Sequence, residues 1–341
     1  MARLTKSELL QVVVRSVRQA GWRVLYVSDQ YPFRFQIYHE DQSYRVRVYI
    51  WNLTHGGGPA RPTYEYRIQI TPINQFEPEI GGKTLILGWW QEAEVFAGFD
   101  FRRHSGLLGA SPSIQIHEDT LRRAYTNRFA CHLKDNQELA VAFTPNFFVE
   151  YVRNLESLHD FGESASDVGV LEAVSEDPNA VNDTTIDELP TLRRESVRSV
   201  RTRLRVASFQ ARVLAAYQHG CAFCGLQLEL VQAAHIIPVS YSGSTDETCN
   251  GLALCALHHS AYDDALVTFD EEYRVVANQT KIRCLEEVGH DGGKDAFLAA
   301  LRPLIILPPD INDRPRTQYL KVANSARGWE DVDTLVVEDA S

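Results

Sequence analysis

Two short-spaced pairs of metal-ligating side chains constrain what this chain can fold into more than any other feature. Cys221 and Cys224 form a C-x2-C pair, and Cys255 with His258 forms a C-x2-H pair about thirty residues later. Three thiolates and one imidazole satisfy a closed tetrahedral zinc site. Such a site pins the start of a β-hairpin to the end of the helix that follows it. The competing reading is a set of buried thiols beside an unrelated histidine. Four of the six cysteines (Cys221, Cys224, Cys249, Cys255) fall within 35 positions, which favours metal over disulfides in a reducing compartment. Cys249 is expected to be a packing thiol.

A second set of groups is threaded through the first. Leu228–Ala234 reads as the strand of a hairpin, which places His235 at its end, ahead of Ile236-Ile237-Pro238. An imidazole there can take a proton from water near neutral pH. His258 and His259 lie in a short helix expected to run to about Asp264. Neighbouring residues on a helix point about 100° apart, so His258 can face zinc while His259 faces a cleft. Asp263, four residues on, shares the face of His259 and could share a divalent cation with it. Such an ion would stabilise a pentavalent phosphorane and the leaving 3′ oxygen. Asn250, in the connecting loop, could tie that loop to the hairpin or hold the ring of His235. Taken singly, each of these residues has a plainer reading as a satisfied polar group or a solvated helix end.

Residues 208–276 resemble the HNH endonucleases of the ββα-metal type, through the pattern AHIIP…NGLALC…HH…D. The resemblance implies that His235 is the general base, Asn250 the middle motif residue and His259 a metal ligand. Asp263 joins the same Mg²⁺ or Mn²⁺ ion, and Cys221, Cys224, Cys255 and His258 are the structural Zn²⁺ ligands of many members. It also implies cleavage to a 5′ phosphate and a 3′ hydroxyl. Leu301–Ile306, Pro308-Pro309 and Arg314-Pro315 are similar to the family's C-terminal extension. One position departs: many relatives carry an Asp or His ligand just before the base, where this chain has Ala234. Asp246 and Glu247 are outside candidates for the missing ligand.

The net charge of −11 seems to argue against DNA, but the charge is unevenly placed. Residues 160–190 hold nine acids and no bases, and the flanking segments are close to neutral. The expected class is α+β, in four parts. Residues 1–159 form a recognition or sensor domain with a mostly antiparallel sheet, and 160–190 an acidic flexible linker. Residues 191–325 form the nuclease with its extension, and 326–341 a frayed acidic tail. In the first part, helical periodicity covers 7–20, with Ser7 as N-cap, and strands are expected over Arg23–Val27, Phe33–Tyr38, Tyr44–Trp51, Tyr64–Ile70, Thr84–Trp89 and Glu94–Phe99. Gly56-Gly57-Gly58-Pro59 is expected to be a loop. A helix is expected over Ala207–Gln218. Seven arginines lie between 193 and 212 against one acid, Glu195. Of these, Arg198, Arg201, Arg203 and Arg205 are expected to neutralise DNA phosphates, unless the run is a charged helix docked on the acidic linker.

In the first domain, Trp51, Trp89, Trp90, Phe99 and Phe101 could line a pocket for a flipped base, or form core. Arg102-Arg103-His104 would suit a phosphate-facing loop or a surface turn. No apolar run approaches the roughly 20 residues that cross a membrane, and the N-terminus lacks a signal-peptide core, so a cytoplasmic location is expected. The leading expectation is a metal-dependent DNA endonuclease of a bacterial restriction or antiviral defence system, reading a sequence or a modified base through its first domain. A double-strand cut with one site per chain would favour a homodimer. Two alternatives stand beside it. One is an effector nuclease licensed by a small molecule or protein; the other is a zinc-stabilised DNA-binding protein without catalysis.

Overall fold

The computed structural model describes residues 3–28, 30–55, 62, 64–330 and 332–338. The expected loop Gly56-Gly57-Gly58-Pro59 lies outside the described residues. The chain divides after Leu204 into two compact units, a boundary that falls within a helix.

The first unit opens with α1 (Lys6–Gln19), capped by Thr5 rather than Ser7. The Thr5 hydroxyl accepts from the Glu8 N–H and the Glu8 carboxylate accepts from the Thr5 N–H, a reciprocal pair that needs an acid three residues after the cap. β1 (Arg23–Ser28), β2 (Phe33–His39) and β3 (Gln42–Asn52) follow as an antiparallel meander. β4 (Thr54–His55) and β5 (Glu65–Gln69) leave that sheet. The chain re-enters it as β6 (Lys83–Trp90), parallel to β3, and β7 (Val95–Phe99), antiparallel to β6. β8 (Ser113–His117) pairs with β5, α2 (Glu118–Asn127) covers part of the main sheet, and β9 (Phe129–Leu133) and β10 (Leu139–Phe143) complete it. The order is β1-β2-β3-β6-β7-β10-β9, with β4-β5-β8 as a separate three-stranded sheet. The mixed α+β class and mostly antiparallel pairing agree with the sequence.

This sheet is covered on both faces, and side chains alternate between them. Leu85, Leu87 and Trp89 of β6 enter one core, with α1 and the later helices. Ile86 and Trp90 enter the other, with Trp51, Phe99 and the small sheet. Of the two readings of the aromatic residues, core and not a pocket is the one formed. Trp89 and Trp90 lie on opposite faces, Trp51, Trp89, Trp90 and Phe99 are all buried, and only Phe101 is partly exposed. The Arg102-Arg103-His104 turn is likewise engaged internally. Arg102 binds Asp100 and Asp160, Arg103 donates to the Asn136 carbonyl, and His104 pairs with Glu138.

The acidic flexible linker is overturned by the same packing. After α3 (Phe148–Arg153) and α4 (Leu155–His159), residues 165–187 carry α5 (Ala165–Glu176) and α6 (Asp183–Asp187). Val168, Leu171, Val174, Ile186 and Leu189 enter the first core. Four of the acids pair with the following helix, α7 (Thr191–Ala216), where Arg193 binds Glu163 and Asp167, Arg198 binds Asp187 and Arg201 binds Asp183. Helix α7 thus begins sixteen residues before the expected Ala207.

In the second unit, β11 (Val231–His235) and β12 (Gly251–Cys255) form an antiparallel hairpin followed by α8 (Ala256–Asp263), a ββα unit with His235 opposite Gly251. β13 (Val267–Phe269) and β14 (Val275–Asn278) come next, then α9 (Gln279–Glu287), α10 (Lys294–Ala300) and α11 (Thr317–Ala326). β15 (Thr334–Val336) pairs with β14, so the expected frayed tail is ordered over those residues. The extension packs on the cysteine knuckle, with the Arg302 and Ile306 N–H groups donating to the Phe223 and Ala222 carbonyls. Gly251 lets α7 approach the hairpin: a Cβ there would lie 2.3 Å from Val213 Cγ2 and 3.0 Å from Phe209 Cζ.

Candidate metal centre and active site

The ligand atoms of Cys221, Cys224, Cys255 and His258 all lie within 4.8 Å of one another, the one such metal-ligand cluster among the described residues. His258 Nδ1 faces the sulfurs of Cys221 and Cys255 at 3.5 and 3.3 Å. A tetrahedral zinc bonding sulfur at 2.3 Å and nitrogen near 2.05 Å would set these pairs about 3.6 Å apart, so the donors present fit the ion. Burial pushes the Cys221 thiol up to about 12 and also raises Cys224. A bound cation would offset that cost by favouring thiolate. One detail differs from expectation. Cys255 ends β12 and His258 lies in the first turn of α8, so the centre clasps the helix at its start, not its end.

His235 stands at the end of β11. Its ring stacks on Phe209, with centroids 3.8 Å apart and an 11° tilt between planes. Its Nε2 lies 3.0 Å from Asp246 Oδ1. An ionised carboxylate only accepts, so Nε2 carries the hydrogen and Nδ1 is the basic nitrogen of the neutral ring. Asp246, considered above as an ion ligand, is thus the partner of the histidine. Glu247 does not reach an ion site either, because its Oε2 accepts from Tyr319 Oη at 2.6 Å and pairs with Arg316 at 3.1 Å. Ala234 points into the second unit's core, where a charged ligand would be buried.

Asn250 is fully buried. Its Oδ1 accepts from the Ile237 N–H at 2.9 Å, its Nδ2 donates to the Thr245 carbonyl at 2.8 Å, and its carbonyl accepts from the Ile236 N–H. Of the two roles offered by the sequence, tying the loop to the hairpin matches these bonds. The tied loop is the one that carries Asp246.

On α8, His259 Nε2 and Asp263 Oδ2 are 3.4 Å apart. Two adjacent ligands of an octahedral ion at 2.1 Å would be about 3.0 Å apart, so the pair fits two of six positions and leaves the rest to water and phosphate. The other oxygen of Asp263 lies 3.4 Å from Arg327 Nη2. Arg327 also donates to the Ile236 carbonyl at 2.7 Å and the His235 carbonyl at 3.3 Å. Its guanidinium sits 4.2 Å from the centre of the Tyr262 ring.

The expected DNA-binding arginines are placed otherwise. Arg198 and Arg201 are paired with acids, and Arg203 is half-buried, donating to the Asn146 carbonyl at 2.8 Å with burial lowering its basicity. Arg205 is partly buried on the same helix. The sequence does not point to Phe209 or Arg327 at this site, and it offers Asp246 only as an ion ligand. Phe209 and Val213 show ordinary helical core spacing, and Arg327 is one of four bases among the seven acids of residues 309–341.

Residues 221–270 match the family model described as HNH endonuclease, and residues 44–152 match the one described as methylase-associated X1. The chain is similar to a solved structure titled "Modification dependent TagI restriction endonuclease", at 14% identity over 81% of this chain and 80% of that chain. The TM-score is 0.30, too loose a superposition to describe the fold. No curated protein matches the chain. Among the described residues no helix is long and apolar enough to cross a membrane. The second unit carries an HNH endonuclease domain, and the protein is a DNA-cleaving hydrolase.

Proposed function

We propose that this HNH endonuclease hydrolyses DNA at the His235 end of its hairpin, with His235 as general base. The observation that carries this reading is the imidazole itself, stacked on Phe209 and held at Nε2 by Asp246 so that Nδ1 is the basic nitrogen. Nδ1 takes the proton of the attacking water as its oxygen bonds to phosphorus. The bond from phosphorus to the 3′ oxygen then breaks with its electron pair on that oxygen, which takes a proton from solvent, leaving a 5′ phosphate and a 3′ hydroxyl. Asn250 serves the reaction by fixing the loop that presents Asp246. His259 and Asp263 would hold a divalent ion, Mg²⁺ or Mn²⁺, and the Cys221, Cys224, Cys255 and His258 set a structural zinc. A bound divalent ion supplies Lewis-acid stabilisation of the phosphorane and the leaving oxygen.

The first unit, matched in part by a domain named for association with methylases, is assigned the recognition of specific or modified DNA, as in a restriction nuclease of bacterial defence. A double-strand cut would bring two chains together, one site for each strand. The test is cleavage of modified and unmodified plasmid in Mg²⁺ by wild type and His235→Ala. A loss of about 10³-fold or more is expected for the variant, the scale of general-base catalysis. Equal cutting by both proteins sinks the assignment of the base, and equal cutting of both plasmids by wild type counts against recognition of modified DNA.

A further inference from the structure

Arg327 lies outside the segment that matches the endonuclease family, in the turn that ends α11. Yet its guanidinium joins both halves of the proposed site. Nη1 donates to the Ile236 carbonyl and Nη2 to the His235 carbonyl, at the end of the strand that presents the base. Nη2 also meets Oδ1 of Asp263, whose Oδ2 faces His259. The side chain is only 7% exposed and lies over Tyr262, so it is engaged by protein rather than offered to a phosphate. A planar fork of fixed donors holds such a span where a flexible ammonium cannot. The anchor is itself braced, because Tyr241 Oη, six residues beyond the base, donates to the Ala326 carbonyl at 3.3 Å.

We propose that Arg327 is a positioning residue that sets the separation between the general base and the ion-holding face of α8, so that the C-terminal helix completes the active site. This rests on the reading of His235 and the His259–Asp263 pair given above. A rigid link of this kind acts on the reacting geometry and not on the affinity for DNA. Displacing a reacting group by about 1 Å can cost roughly 100-fold in rate.

The experiment compares Arg327→Lys and Arg327→Ala with wild type and His235→Ala, using the full chain, saturating Mg²⁺ and a plasmid substrate. kcat, KM, bound zinc and the thermal transition are recorded for each. Arg327→Ala is expected to lose about 100-fold in kcat and Arg327→Lys about tenfold, since Lys keeps the charge but not the fork. KM should stay within about threefold and zinc content should not change. A kcat within threefold of wild type for Arg327→Lys overturns the proposal. So does a rise in KM at unchanged kcat, which would make Arg327 a DNA contact. If Arg327→Ala loses its zinc or its transition, Arg327→Lys decides; if that variant loses them too, the residue is merely structural and the proposal falls. An inactive His235→Ala beside a fully active Arg327→Lys removes only the role of Arg327. Wild-type cutting by His235→Ala removes the reading beneath it.

Discussion

Strand β6 of the first unit and strand β12 of the second are both buried almost end to end, but for different reasons. Along β6, the side chains of Leu85, Ile86 and Leu87 alternate between two hydrophobic cores and ask only for apolar volume. Along β12, Leu252, Ala253 and Leu254 all enter the single core of the second unit, and the ends are chemically fixed. Gly251 admits Val213 of α7, and Cys255 belongs to the metal-ligand cluster. The first unit is held by area removed from water, whereas the second folds around a few groups that tolerate no substitute. Stability, sequence legibility and function divide along the same line.

The strongest way to break this comparison is to remove the metal. A structural zinc contributes on the order of 10 kcal/mol to folding in small metal-bound domains. A zinc chelator added to the full chain is therefore expected to abolish amide-exchange protection in β11, β12 and α8, and to leave β6, β7 and β10 protected. Retained protection in the hairpin after chelation would mean that apolar packing alone holds the second unit.

The same contrast explains what was legible in the sequence. Ligand spacing, the histidine at a strand end and the i, i+4 pair on α8 could be placed from residue order alone, because metal and acid–base chemistry allow few residue types. Asp246 could be seen only as an outside candidate for an ion ligand. Its contact with His235 is closed by the fold of the loop that Asn250 holds. Arg327 is 92 residues from the carbonyl it binds, beyond the reach of any local pattern. In the first unit, most strands of the meander could be read from alternation. β9 and β10 were missed, although Leu139–Phe143 is a short unbroken apolar run of the kind a doubly covered sheet produces. Residues 160–190 were misread because nine acids mask the spacing of Val168, Leu171 and Val174. Composition suggested a solvated linker, but the neutralising charges lie on the next helix.

A second test concerns Glu138, a place where the first unit relies on charge within its core. Burial pushes the Glu138 carboxyl up, but bonds from His104 at 2.8 Å and Lys134 at 2.6 Å outweigh it and bring it down to about 2. A folded value below the unfolded 4.5 stabilises the unit fully above about pH 4.5, and the contribution is lost as the pH falls towards 2. Glu138→Gln is thus expected to cost about 3 kcal/mol at pH 7, shrinking to about 1 kcal/mol at pH 3. Urea unfolding at the two pH values measures this. A gap that does not narrow would show that the cost comes from packing and not from the charge.

The smallest expected effect sharpens where DNA is held. Arg198 and Arg201 look like phosphate contacts in the sequence, but in the structure they answer Asp187 and Asp183, the acids of the packed segment. Both acids are exposed, although the Arg201 side chain is only 12% exposed, and surface pairs are worth about 1 kcal/mol or less, so losing them should leave the first unit folded. A carboxylate already beside each guanidinium cancels most of the charge a phosphate would meet. The double variant Arg198→Ala, Arg201→Ala is therefore expected to bind DNA within about twofold of wild type. Each true phosphate contact lowers the slope of log affinity against log salt by about 1, so the double variant should keep the wild-type slope. A slope reduced by about 2 would return these arginines to the DNA surface and place part of the binding energy in the first unit.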